Sequence, residues 1–203
     1  MAKILYSAPL KALSQEKYED WTKLFPDKKI LQLTGDTLTS QKIRLEMMKE
    51  AETADILIMT AELLDSVTRN HYSEHYQWVK HVQLLVVDEA HGVTMEGRGH
   101  VIEASIMRFC EIAPQAKVWF MSATMPNCEE FAQWLTTLNK KPSEIINSTW
   151  RPTELRWNFI PHNAFGSYWE NQDDKIRKAI EIIEEHQNES TLVFVHDKNT
   201  GRR

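Results

Sequence analysis

The chain has 203 residues, 42% hydrophobic and 26% charged, the profile of a globular protein that buries a real core. Those proportions exclude a disordered tail, a collagen-like fibre and a disulfide-stapled miniprotein. With 24 Lys and Arg against 29 Asp and Glu, the formal charge is −5, so no face is forced to grip nucleic acid by bulk positive charge. A groove of backbone amides and a few lysines remains open to phosphates even on an acidic protein. No apolar run approaches the ~20 residues that cross a bilayer, and the N-terminus lacks a signal-peptide core. The expectation is a cytoplasmic or nuclear protein with no membrane contact, whose Cys110 and Cys128, lacking CxxC spacing, stay as thiols.

Short β-rich runs at Ile4–Ser7, Ile30–Leu33, Ile56–Met59, Leu84–Val87 and Val118–Met121 predict strands that are apolar on both faces. Between them, Leu10–Phe25, Ser40–Ala54 and Val101–Ala113 carry apolar residues at helical spacing, and Pro26 and Pro114 close the first and last. Alternation of this kind predicts a doubly wound α/β domain with a parallel sheet over residues 1–148. From about Asn147 the pattern breaks. Residues 149–203 then read as the opening of a second domain, with a helix over Gln172–Glu185 and a strand over Thr191–His196. Ile176, Ile180 and Ile183 line one face of that helix, with Asp173 and Asp174 at its positive N-terminal end.

The strongest chemical signal is Asp88-Glu89-Ala90-His91 at the carboxyl end of a predicted strand, where ligands bind in a parallel α/β sheet. There an aspartate can hold Mg²⁺ through water and a glutamate can orient an attacking water. Alone, the tetrapeptide is equally consistent with a solvated turn. Four more strand ends follow the same design: Ser7-Ala8-Pro9-Leu10-Lys11-Ala12-Leu13-Ser14-Gln15, Thr34-Gly35-Asp36, Thr60-Ala61-Glu62 and Ser122-Ala123-Thr124. Their free amides suit phosphates. Any one has a bland reading as a cap or a turn, and five in fixed order do not.

In that order the segments resemble motifs Ia, Ib, Ic, II and III of superfamily 2 helicases. Glu96–Ala104 and Met121–Asn127 are similar to the superkiller-like branch, which includes archaeal DNA-repair helicases. Leu192–His196 resembles motif IV. The resemblance implies a RecA-like first lobe over residues 1–148 and the start of a second over 149–203. It implies an ATP-dependent enzyme that translocates along and unwinds single-stranded or partly duplex DNA or RNA, with DNA favoured. By the same resemblance Asp88 coordinates Mg²⁺ through water, Glu89 positions the hydrolytic water, and His91 relays the phosphate state to Ser122, Ala123 and Thr124. Pro9, Lys11, Ala12, Gln15, Thr34, Gly35, Thr60 and Glu62 would line the nucleic-acid track, mostly against its backbone.

The family's P-loop is absent, since none of the six glycines precedes a lysine. The chain reads as a fragment that starts after the P-loop helix and stops before motifs V and VI, so ATP hydrolysis by these residues alone is expected to be poor or nil. Loss of the P-loop strand is expected to open sheet edges and favour a homodimer. Two competing readings stand beside this one. His71-Tyr72-Ser73-Glu74-His75 matches a zinc-peptidase pattern, although a polar helix with satisfied histidines explains it more simply. A non-catalytic nucleic-acid-binding or scaffold remnant of the helicase fold is the other. Trp21, Trp78 and Trp134 are expected to pack rather than stack on bases.

Overall fold

In a computed structural model of the chain, residues 3–35, 40–148, 150, 152–162 and 166–195 are described, with the backbone alone at Tyr168. Asp36, Thr149 and His196, which entered the sequence reading, lie outside them. The chain divides into two compact units, 1–147 and 148–203.

The first unit is built on five parallel strands: β1 (Lys3–Ala8), β2 (Ile30–Leu33), β3 (Ile56–Thr60), β4 (Val82–Val87) and β5 (Lys117–Phe120). Their order in the sheet is β2-β3-β1-β4-β5, with β1 paired to β3 on one side and β4 on the other. Helices α1 (Lys11–Leu24), α2 (Gln41–Thr53), α3 (Ala61–Arg69), α4 (Gly99–Ile112) and α5 (Cys128–Asn139) flank it, with 3₁₀ segments at Glu74–His81 and Ala90–Thr94. Strand alternation divides the core into two. Leu5, Leu57, Met59, Leu85 and Val87 face the larger cluster, with Leu64, Ile106 and Phe109 from the helices. Tyr6, Ala8, Ile56, Ile58 and Val86 face the smaller one, where Tyr18 and Trp21 of α1 cover them.

Local chemistry fixes the helix ends. The Ser40 hydroxyl accepts from the Ile43 amide at the start of α2, and the buried Lys3 ammonium donates to the Ala51, Glu52 and Ala54 carbonyls at its end, at 2.6, 3.1 and 2.7 Å. Trp78 is buried, and Trp21 and Trp134 are half-buried against the two clusters. The sheet has two edges, β2 and β5. On β5, Trp119 is 56% exposed, and Met121 just beyond it is 40% exposed.

In the second unit α6 runs from Tyr168 to Glu185, four residues longer at its start than the sequence suggests. The cause is a capping box: Ser167 accepts from the Glu170 amide while the Glu170 carboxylate accepts from the Ser167 amide. Asp173 and Asp174 therefore sit in the second turn rather than at the cap. The strand expected over Thr191–His196 does not form in its described part. Residues 191–195 pair with nothing in a sheet, and Leu192 and Phe194 stay 78% and 88% exposed. A strand is held by its neighbours, and no other described residue of this unit is in a strand to pair with it.

Candidate functional site

The carboxyl ends of β1, β4 and β5 are zipped together by backbone bonds. The Asp88 amide donates to the Ser7 carbonyl at 3.0 Å, the Met121 amide to Val87 at 2.9 Å and the Ala90 amide to Met121 at 2.9 Å. Asp88 thus leaves the central part of the sheet in a fixed direction. Glu89 follows in the left-handed region with φ 50°, a conformation that costs a non-glycine residue and turns the chain sharply into the Ala90–Thr94 segment. His91 comes back over β5, where its Nδ1 lies 3.0 Å from the Ser122 hydroxyl, and that hydroxyl donates to the Thr124 carbonyl at 3.1 Å. The Glu89 carboxylate lies 3.2 Å from the same Nδ1, off line for a hydrogen bond. Ala123 and Thr124 are exposed.

Asp88 is held at both oxygens. Oδ1 accepts from the Glu89 amide at 2.9 Å, and Oδ2 accepts from the Tyr6 hydroxyl at 2.5 Å. Burial, then the Asp88 hydrogen bond, push the Tyr6 phenol above its ordinary range. Sequence reading did not single out Tyr6, because a tyrosine in an apolar strand carries no local sign of a partner 82 residues away.

The other predicted residues sit at neighbouring strand ends. Pro9 is half-buried and Lys11, Ala12 and Gln15 are exposed on the first turn and a half of α1, with Gln15 donating to Glu19 at 2.7 Å. Thr34 and Thr60 are each only 7% exposed, while Gly35 is open. Glu62 opens α3 and accepts from Arg98 at 2.6 Å, a pairing that the sequence reading missed. Burial works to raise its carboxyl, but Arg98, its own amide and Thr60 outweigh that and hold it below the usual range. Arg98 reaches it from a loop in which Gly97 has φ +76° and Gly99 lies so close to Val93 that a Cβ would meet its carbonyl oxygen at 2.0 Å.

The zinc-peptidase pattern is not assembled. His71 lies in a turn with its Nδ1 2.7 Å from the Thr68 carbonyl, while Glu74 and His75 begin a 3₁₀ segment, so the two histidines do not share an α-helical face. Among the described residues no three His, Cys, Asp or Glu side chains converge to hold a metal. The donor set of Asp88 and Glu89 does suit Mg²⁺, a hard cation that keeps several waters and takes one or two carboxylates beside phosphate oxygens. ATP is another matter, because no Gly-Lys pair cradles its phosphates. An open cavity of about 440 Å³ lies elsewhere, between the first turn of α2 and the Glu74–His81 segment.

Residues 1–131 match the model of the DEAD/DEAH box helicase family. The chain belongs to that family. Similar family members include the ATP-dependent DNA helicase MER3 of Saccharomyces cerevisiae, 33% identical over 95% of this chain and 16% of that protein. The ATP-dependent DNA helicase Hel308 of Pyrococcus horikoshii is 31% identical over 99% of this chain and 26% of its own length. The DExH-box ATP-dependent RNA helicase DExH10 of Arabidopsis thaliana is 33% identical over 82% of this chain and 15% of its own. The chain therefore spans between one seventh and about a quarter of these helicases. Among solved structures, the Mycobacterium smegmatis helicase Lhr bound to ssDNA and AMP-PNP aligns over 99% of this chain and 27% of its own, with a TM-score of 0.65 and 23% identity. The DUF1998 helicase MrfA bound to DNA and AMPPNP gives 0.68 and 22% over 98% of this chain and 28% of its own. These likenesses show the fold, the α/β architecture of a RecA-like helicase lobe.

Proposed function

We propose that the chain is part of an ATP-dependent motor that moves along and unwinds nucleic acid, working in the cytoplasm or nucleus. The observation that carries it is the His91–Ser122 contact at 3.0 Å, which ties the acidic pair after β4 to the hydroxyl segment after β5. In this reading Asp88 holds Mg²⁺ through water, and Glu89, set apart by its left-handed turn, positions the attacking water. His91 senses the phosphate side through its link to Ser122, Ala123 and Thr124. When bound, nucleotide with Mg²⁺ supplies the bond that is cleaved, and the remaining work of orientation falls to these side chains. Pro9, Lys11, Ala12, Gln15, Thr34, Gly35, Thr60 and Glu62 mark the track of single-stranded or partly duplex nucleic acid. Thr34 and Thr60, being buried, would act through backbone amides, and contacts of that kind are independent of sequence. DNA is favoured over RNA on the likeness of Thr34-Gly35-Asp36 and residues 98–103 to the DNA-repair helicases.

Residues 1–148 form the first lobe in this proposal and residues 149–203 begin the second. These residues contain no phosphate cradle and no counterpart of motifs V and VI, so the chain alone turns over little or no ATP. Two copies pair through the open β5 edge. Binding of a fluorescent ATP analogue and of a single-stranded oligonucleotide, with Mg²⁺ present, tests the motor reading. Salt-sensitive oligonucleotide binding without saturable nucleotide binding is expected. Micromolar nucleotide binding abolished by Asp88→Ala, or turnover abolished by Glu89→Gln, would show the cradle to lie within the chain. The absent P-loop favours one second reading, a non-catalytic scaffold. A Gly-Lys-Thr encoded after a strand just upstream of Met1 would decide for the motor.

A further inference from the structure

Tyr6 occupies a position on β1 where a phenylalanine would fill the same space. Its side chain faces the α1 side of the sheet at 1% exposure, and its ring meets Trp21 edge-on with centroids 4.9 Å apart and planes at 74°. Packing at that position asks only for an aromatic ring. The hydroxyl adds a polar group to an apolar layer, which is unfavourable unless it finds a partner. Its partner is Asp88 Oδ2 at 2.5 Å, a charge-assisted bond across 82 residues of sequence.

The carboxylate of an aspartate rotates broadly about its last torsion and offers about four lone-pair directions. At Asp88 two of them are taken, one by Tyr6 from the neighbouring strand and one by the Glu89 amide at 2.9 Å. Two donors on different oxygens stop the rotation. We propose that Tyr6 is a positioning residue for Asp88: its hydroxyl fixes the carboxylate so that only the remaining lone pairs are presented to a hydrated divalent cation. The proposal rests on the reading of Asp88 as the cation-holding residue. Through Trp21, the same ring anchors Asp88 to α1, the helix whose first turn carries Lys11.

Tyr6→Phe in the 203-residue chain removes the hydroxyl and keeps the ring. The carboxyl carbon resonance of Asp88 reports the hydrogen bonding and orientation of its carboxylate, and Mn²⁺ serves as a paramagnetic probe of cation binding. In the wild-type chain that resonance is expected to be single and broadened by Mn²⁺. In Tyr6→Phe it shifts and the Mn²⁺ affinity falls by roughly tenfold, the usual scale for losing a group that orients a metal ligand. A variant with a lower melting temperature but an unchanged Asp88 carboxyl resonance and Mn²⁺ affinity overturns the proposal, because Tyr6 would then only pack. Wild-type Asp88 resonances blind to Mn²⁺ overturn the cation reading itself, and the proposal with it. A second measurement does not depend on the variant folding. The Tyr6 hydroxyl proton should give a slowly exchanging downfield resonance that Asp88→Asn displaces, and an insensitive resonance also overturns the proposal.

Discussion

At Gly99 the absence of a side chain decides whether the loop after Asp88-Glu89-Ala90-His91 can close. A Cβ there would lie 2.0 Å from the Val93 carbonyl oxygen, a backbone atom that cannot swing away. Gly99→Ala is expected to cost about 1–3 kcal/mol, the range for overpacking, and to loosen the Arg98–Glu62 pair. A shifted urea midpoint, with the Glu62 carboxyl returning toward its ordinary range by NMR titration, would check both effects. Cys110 gives a pH prediction. Burial raises its thiol from 9.0 up to about 11. Above about pH 9 the unfolded chain sheds a proton that the folded chain keeps, so the stability from this group is full below that pH. It drains away as pH rises toward 11, with a slope of up to about 1.4 kcal/mol per unit. Urea midpoints at about pH 8 and about pH 10.5 should therefore separate more in the wild-type chain than in Cys110→Ala. The acidic pair and its histidine were legible in the sequence as a short motif. Tyr6 and Arg98 were not, because each earns its role from a partner 82 or 36 residues distant.

Among the elements, those with long apolar periodicity appeared where the residues predicted them. Strands β1 to β5 and helices α1, α2 and α4 fall within about two residues of expectation, since burial on the sheet enforces the same periods that the sequence displays. Elements governed by local hydrogen bonding were harder to read. The Glu74–His81 stretch became a 3₁₀ segment, and α6 began early because Ser167 and Glu170 form a capping box. The cap at the end of α2 comes from another element. Lys3, on β1, supplies donors to three carbonyls at the end of α2. Lys3→Met should leave those carbonyls without that donor and destabilise the first unit by about 1–3 kcal/mol, read as a lower urea midpoint with faster amide exchange at the last turn of α2.

For the whole molecule, the open edge of β5 carries the prediction. An unpaired strand with an exposed Trp119 invites pairing with a second chain, and a charge on such an edge discourages it. Light scattering over a wide concentration range should find association in the wild-type chain and a smaller mass in Trp119→Lys. A constant monomer mass in both would remove the dimer from the proposed function. By itself, the sequence determined the alternation of strands and helices, the parallel α/β class and the arrival of each motif at the carboxyl end of a strand. Those features follow from local periodicity and turn chemistry. The tertiary structure alone decided the order β2-β3-β1-β4-β5, and with it the placing of Tyr6 against Asp88, His91 against Ser122 and Glu62 against Arg98. It also left Thr191–Val195 outside any sheet. Strand pairing and burial choose neighbours across the chain, and no residue's local pattern encodes which neighbour it will meet.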